Sequence, residues 1–148
     1  MDRFYRGFLA GVVGGIIMNI WSFISVDLLN FSEFHFIDWA AVMTYGSPPD
    51  NFLENMMSLI THLAWTGFLG IVTAYIIPLT TSRKFLLKGV IIGFILFFIL
   101  NALPVLFQTP YLHDITSETA LSNAIGSILW GLGTALTLRY LDRRQITV

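Results

Sequence analysis

The sequence predicts an all-α fold: an integral membrane bundle of four transmembrane helices, with residues 1–148 forming a single membrane domain. Three observations lead there. First, the 148 residues are 55% hydrophobic and 11% charged, with a mean hydropathy of +0.74. Ordinary soluble domains carry roughly 25% charged residues, and a soluble chain of this length has too much surface to hide so many apolar side chains. Second, the chain holds four apolar runs. At about 1.5 Å per residue each is long enough for a bilayer core of about 30 Å. Third, every Lys and Arg lies in one of three places: the lead (Arg3, Arg6), the middle connection (Arg83, Lys84, Lys88) and the end of the chain (Arg139, Arg143, Arg144). Four spans put all three on one face, and the positive-inside rule makes that face cytoplasmic. One helix more or fewer would scatter the basic residues over both faces. The pattern therefore checks the helix count as well as the orientation, and it places both termini on the cytoplasmic side of the cell membrane.

The first span covers 7–29. A secretory signal is the competing reading, but the apolar run is too long and no small-residue cleavage pattern follows it. Residues 30–54 form an outer segment with four acids and no Lys or Arg, ending in the breaker run Gly46-Ser47-Pro48-Pro49-Asp50. Its FHFIDWAAVMTY stretch is too short to cross a membrane. It reads equally as an interfacial helix with Trp39 and Tyr45 at headgroup level or as an ordered loop. The second span, 55–79, closes at Pro78. After a tight basic connection, the third span covers 88–108 with Pro104 inside it. A polar turn holding His113 and Asp114 leads to the fourth span, 119–141, and a polar tail.

The opening of the first span returns in the third. Arg6, Gly7, Gly11 and Asn19 align with Lys88, Gly89, Gly93 and Asn101. In the return helices Trp65 aligns with Trp130 and Tyr75 with Tyr140. Both halves run the same way, so a duplication would be a parallel repeat of two hairpins; chance similarity of Gly-rich apolar helices is the alternative.

Small residues mark the expected packing faces: Gly7, Gly11 and Gly15, then Gly89 and Gly93, with Gly126 and Gly131 in the last span. The rows His62-Thr66-Gly70-Ala74 and Asn123-Ser127-Gly131-Ala135 each repeat every four residues. Such stripes let helices approach closely in lipid. Seen against the second copy, the glycines of the first span are expected to pack the two hairpins against each other.

Polar residues are costly at depth. Counted along the helices, Asn19, His62, Asn101 and Asn123 fall roughly 5–14 Å below the outer surface. Asp27 lies at that surface, with Ser22, Trp21 and Trp65 at similar levels. Polarity therefore gathers in the outer half. It is either a pocket open to the outside, with Asn19, Ser22, Asp27, His62, Trp65, Asn101 and Asn123 as its candidate ligand-binding residues, or a set of interhelical hydrogen bonds, Asn19 to Asn101 among them. His62 is the one histidine within a span, and an intramembrane ionisable group is a functional suspect; Asp27 is its expected partner. Pro104 should bend the third span and free the carbonyl of Leu100, which Asn101 is placed to satisfy.

Several chemistries lack their residues. The chain has no cysteine, so disulfides and thiolate sites do not arise. The histidine spacings match no metal or haem pattern. No phosphate loop, GxSxG or SxxK motif occurs, and no carboxylate pair lies within the spans. No catalytic residue, cofactor or metal is expected. The basic residues read as topology anchors and lipid contacts rather than a nucleic-acid surface. The partners expected are the lipid bilayer and, in a homo-oligomer, further copies of the chain.

The stretch 34–49, FHFIDWAAVMTYGSPP, with Lys88-Gly89 and the Gly-rich last span, resembles a group of small four-helix membrane proteins of Gram-positive anaerobic bacteria, a domain of unknown function. The resemblance implies a bacterial, membrane-embedded chain and brings no catalytic residue with it. Three functions stay open: a protein that binds a small ligand or lipid, or passes a small solute, through the outer polar pocket; a scaffold or accessory subunit of a membrane complex; and a membrane enzyme or redox protein using His62.

Overall fold

The computed structural model describes residues 2–79 and 84–143. Arg83, Arg144 and the rest of the tail, to which the sequence assigns part of the basic face and a frayed end, lie outside the described residues. Within them the chain is helical and contains no strand. Helix α1 spans Arg3–Phe23 and runs into a π-helical turn, Ile24–Leu28. Helix α2 spans Phe36–Tyr45, α3 Phe52–Ile76 with a 3₁₀ turn at Ile77–Leu79, α4 Phe85–Leu106, and α5 Ser117–Arg143. The four long helices have the length and apolarity to cross a membrane. Each begins or ends within a few residues of the expected span.

Local chemistry sets the ends. Asp2 accepts from the Phe4 N–H at 3.1 Å and starts α1. Asn51 accepts from the Glu54 N–H at 3.0 Å, while Glu54 accepts from the Asp50 N–H and the Asn51 side chain. Two otherwise orphaned donors at the start of α3 are thereby satisfied. The FHFIDWAAVMTY stretch is a helix. Gly46 stops it in the left-handed conformation at φ 83°, where a side chain is disfavoured. Thr116 accepts from the Thr119 N–H and opens α5. Pro104 sits in the last turn of α4. Asn101 donates to the carbonyl of Phe97 at 2.9 Å, one turn back on its own helix, and leaves Leu100 aside. The expected service to the freed carbonyl is not made.

The order across the bundle is α3, α1, α5, α4. Helix α1 packs against both α3 and α5, α5 packs against α1 and α4, and α3 and α4 scarcely meet. Gly11 and Gly93 explain two of the three seams. A Cβ on Gly11 would collide with the Thr66 carbonyl and the backbone of Gly70, and one on Gly93 with the Ser127 carbonyl. Gly7 similarly seats on Gly70 and Ala74, Gly15 on Thr66, and Gly89 on Gly131 and Ala135. These glycines join the two helices within each hairpin, not one hairpin to the other. The hairpins meet along a second stripe of α1, where Gly14 lies against Trp130 and Thr134 of α5. Gly126 makes no close backbone approach: it faces the Phe36 ring of α2 and the Trp21 ring of α1.

The same contacts thus recur in both hairpins, but in a different register from the tryptophan alignment. Gly7 and Gly11 use Thr66, Gly70 and Ala74 as Gly89 and Gly93 use Ser127, Gly131 and Ala135. That register matches His62 with Asn123. It leaves Trp65 and Trp130 one helical turn out of step. Their environments differ accordingly: Trp130 is 2% exposed and donates to the Gly11 carbonyl at 3.1 Å, whereas Trp65 is 46% exposed.

At one end of the bundle Arg6 pairs with Asp142, and Arg3 and Arg6 share a small cleft with Ile77, Pro78, Phe85 and Leu138. Lys84 and Arg139 line a neighbouring depression. The starts of α1 and α4 and the ends of α3 and α5 are therefore together, as four antiparallel crossings require.

Candidate functional site

The gap between α3 and α4 is a cavity of about 380 Å³, within the usual range for ligand pockets of about 300–1,000 Å³. From α3 come Thr61, His62, Trp65, Thr66 and Leu69; opposite them α4 supplies Leu96, Leu100, Asn101, Leu103 and Pro104. Met18 of α1 and Asn123, Ser127 and Trp130 of α5 form the back wall. The roof is α2, through Phe36, Trp39, Ala40, Met43 and Thr44. Below, Met18 and Trp130 pack with Leu69, Ile92 and Leu96 and close the end of the cavity nearer the Arg6–Asp142 pair. The walls are overwhelmingly apolar and include no Asp, Glu, Lys or Arg.

The sequence placed seven residues in one outer pocket. The structure divides them. His62, Trp65, Asn101 and Asn123 line the cavity. Asn19, Ser22 and Asp27 do not. Ser22 accepts from the Phe36 N–H at 3.1 Å, in a hydrogen-bonded knot between α1, α5 and α2. There Trp21 donates to the Ser122 carbonyl at 3.0 Å, Ser25 and Ser122 hydroxyls meet at 2.6 Å, and Thr119 accepts from the Glu33 N–H. The π turn brings Ser25 into this knot, since it is fully buried there. Pocket and hydrogen-bond knot are both present, and Phe36 belongs to both, its ring in the pocket lining and its N–H in the knot.

Asp27 is not the partner of His62. Its carboxylate lies 3.2 Å from His35 Nε2, and His35 also meets Asp38, with Nδ1 at 3.2 Å and its backbone N–H donating at 2.7 Å. This clasp ties the first turn of α2 to the end of α1. The His35 pKa is raised, chiefly by the hydrogen bond to Asp38 and further by Asp27, against burial that lowers it. Among the described residues no group of three or more acidic or histidine side chains is arranged to hold a metal ion.

His62 is 8% exposed and stacks on Phe36, with ring centroids 5.9 Å apart and planes at 22°. Its Nε2 is enclosed and has no hydrogen-bond partner. The same is true of Asn19 Oδ1, whose amide Nδ2 donates to the Gly15 carbonyl at 2.8 Å. Leaving such groups unpaired costs about 1–3 kcal/mol each. In the second hairpin the matching pair is joined: Asn123 Nδ2 donates to Asn101 Oδ1 at 3.3 Å. Asn19 and Asn101, expected to bond to each other, each bond back to their own helix instead.

Sequence reading missed the roof, and Met18 and Trp130 in the back wall. It places Trp39 at headgroup level because α2 is short. Trp130 carried a signal in hindsight: a large ring beside Gly131 and Gly133 in a small-residue helix needs a space of its own.

Set against protein-family models, curated proteins and solved structures, the chain matches none of them.

Proposed function

We propose that this is a multi-pass membrane protein that binds a small, uncharged and largely apolar molecule in the cavity between α3 and α4. The cavity itself is the observation that carries this reading. It is sizeable, apolar, free of charged groups, and furnished with a few polar ones, His62, Asn101, Asn123 and Ser127. A molecule already dissolved in lipid would enter sideways between α3 and α4, where no helix seam blocks it, and would shed little water on the way. A charged solute would find nothing to offset its desolvation. The lipid or ligand reading therefore fits better than passage of an ion.

The membrane setting rests on the four long apolar helices and the gathering of basic residues at one end. By the positive-inside rule that end is cytoplasmic, and the membrane is the bacterial cell membrane. Membership of the small four-helix group that residues 34–49 resemble, and descent from a duplicated hairpin, are part of the same proposal. The recurring glycine contacts support the duplication.

The test is native mass spectrometry of protein released from lipid nanodiscs. Wild type should retain a bound neutral molecule, and Ala40→Trp, which fills the cavity from the roof, should lose it. Retention of the same molecule by both would place binding elsewhere. The spectrum also reports whether the chain is a homo-oligomer.

A further inference from the structure

We propose that the cavity recognises a hydroxyl head group, held between His62 on one wall and the Asn101–Asn123 pair on the other, with Asn19 as the positioning residue of His62. The inference rests on the proposed cavity binding and specifies its ligand as an apolar alcohol, such as a long-chain or isoprenoid alcohol or an acylglycerol.

Helix register brings Asn19 to the height of His62. Gly7, Gly11 and Gly15 step along α3 from Ala74 to Thr66, four residues at a time. One more step takes Asn19 to the level of His62. In the second hairpin the same steps take Gly89 and Gly93 along α5 and then Asn101 to Asn123, where the hydrogen bond is made. Asn19 and Asn101 are also held alike, each amide donating to the carbonyl four residues back. In both hairpins that bond leaves the amide oxygen as the atom available to the neighbouring helix. Asn101 Oδ1 receives Asn123. Asn19 Oδ1 and His62 Nε2 are both enclosed, and neither has a hydrogen-bond partner.

A neutral imidazole carries one proton, on one nitrogen only. With that proton on Nε2, a side-chain adjustment that brings His62 within bonding distance of Asn19 Oδ1 satisfies both orphaned atoms. Nδ1 is then an acceptor, and it is the ring nitrogen left to the cavity. Across the cavity Asn123 and Asn101 each keep one amide N–H not used by the bonds to Asn101 Oδ1 and Phe97. One wall accepts and the other donates. A hydroxyl does both: it gives its proton to Nδ1 and takes one from an amide. An ether or ester lacks the donor, a hydrocarbon lacks both, and an amine or acid brings a charge that nothing in the lining offsets.

Full-length protein in nanodiscs is titrated with dodecanol and with dodecyl methyl ether, read by the quenching or shift of tryptophan fluorescence. Trp39, Trp65 and Trp130 all line the cavity, so occupancy reaches three of the chain's four tryptophans. The alcohol should bind about 5- to 100-fold tighter than the ether, as expected when one buried hydrogen bond is lost and its acceptor is left unpaired. His62→Phe, which keeps the stacking on Phe36, should bring the two ligands within about twofold while ether binding persists. Asn19→Leu should reduce the preference with His62 still present. Nitrogen-15 spectra of labelled histidine would report Nε2–H in wild type and a mixture of tautomers in Asn19→Leu. Equal binding of alcohol and ether by wild type, or a preference unchanged in His62→Phe, overturns the head-group assignment and leaves cavity binding standing. Failure of both ligands to bind wild type removes the cavity reading and this one with it.

Discussion

Asn123 donates to Asn101 across 3.3 Å, and that contact joins α5 to α4 at the height where His62 faces the cavity from α3. Both residues are on the cavity wall, so the bond shapes the site as well as the seam. In lipid such interhelical bonds contribute only about 0.6 kcal/mol on average. A double-mutant cycle with Asn101→Leu and Asn123→Leu, followed by reversible denaturant unfolding in mixed micelles, should give a coupling of about that size. A coupling near zero would mean that the pair is held by its surroundings.

The glycine seams carry more weight. Gly11→Val and Gly93→Val each force a side chain into facing backbone, and overpacking of this kind costs about 1–3 kcal/mol or more. Thermal unfolding in detergent should show both variants less stable than wild type. Gly46→Ala has open space around it and is opposed only by its positive φ, a cost of about 1–2 kcal/mol confined to the end of α2.

The clasp on α2 should respond to pH. The pKa of His35 is raised by Asp38 and Asp27, so the protonated ring favours the docked helix. Its contribution is fully present below about pH 6.5, the unfolded value, and is lost as pH rises through the higher folded value. Hydrogen exchange of α2 amides, corrected for the intrinsic rate, should therefore be better protected at about pH 5.5 than at about pH 8.5. His35→Asn retains a capping side chain without a titrating group and should flatten the difference. Equal protection at both pH values in wild type would show that packing of Phe36 alone holds α2.

The absence of cysteine makes topology directly measurable. Single cysteines replacing Asp50 or Asp114 should react with a membrane-impermeant maleimide in intact cells. A cysteine replacing Asp142, beside Arg6, should react only after permeabilisation. Labelling of all three from outside would reverse or break the proposed orientation.

Helix number and length followed from the four apolar runs and the spacing of the basic residues between them, because a chain that crosses hydrocarbon must satisfy its backbone bonds within the helix. The buried faces were legible too. Gly7, Gly11 and Gly15 and the rows through Gly70 and Gly131 mark them, since only small residues allow such close approach. Caps at Asp2, Asn51 and Gly46 are local, and local sequence decides them.

What sits opposite what is a different kind of fact. The polar residues around His62 and Asn101 have nearly the same height along the helices, and height says nothing of angle around the bundle. Only packing decided that α1 lies between α3 and α5. That choice turned Ser22 into a knot with α2 and α5, left Asn101 and Asn123 facing an open gap, and gave Asp27 to His35 instead of His62. It also put α2 over the cavity. Its ten residues are too few to announce a role, yet they are long enough to roof the space that α3 and α4, held apart by α1 and α5, cannot close by themselves.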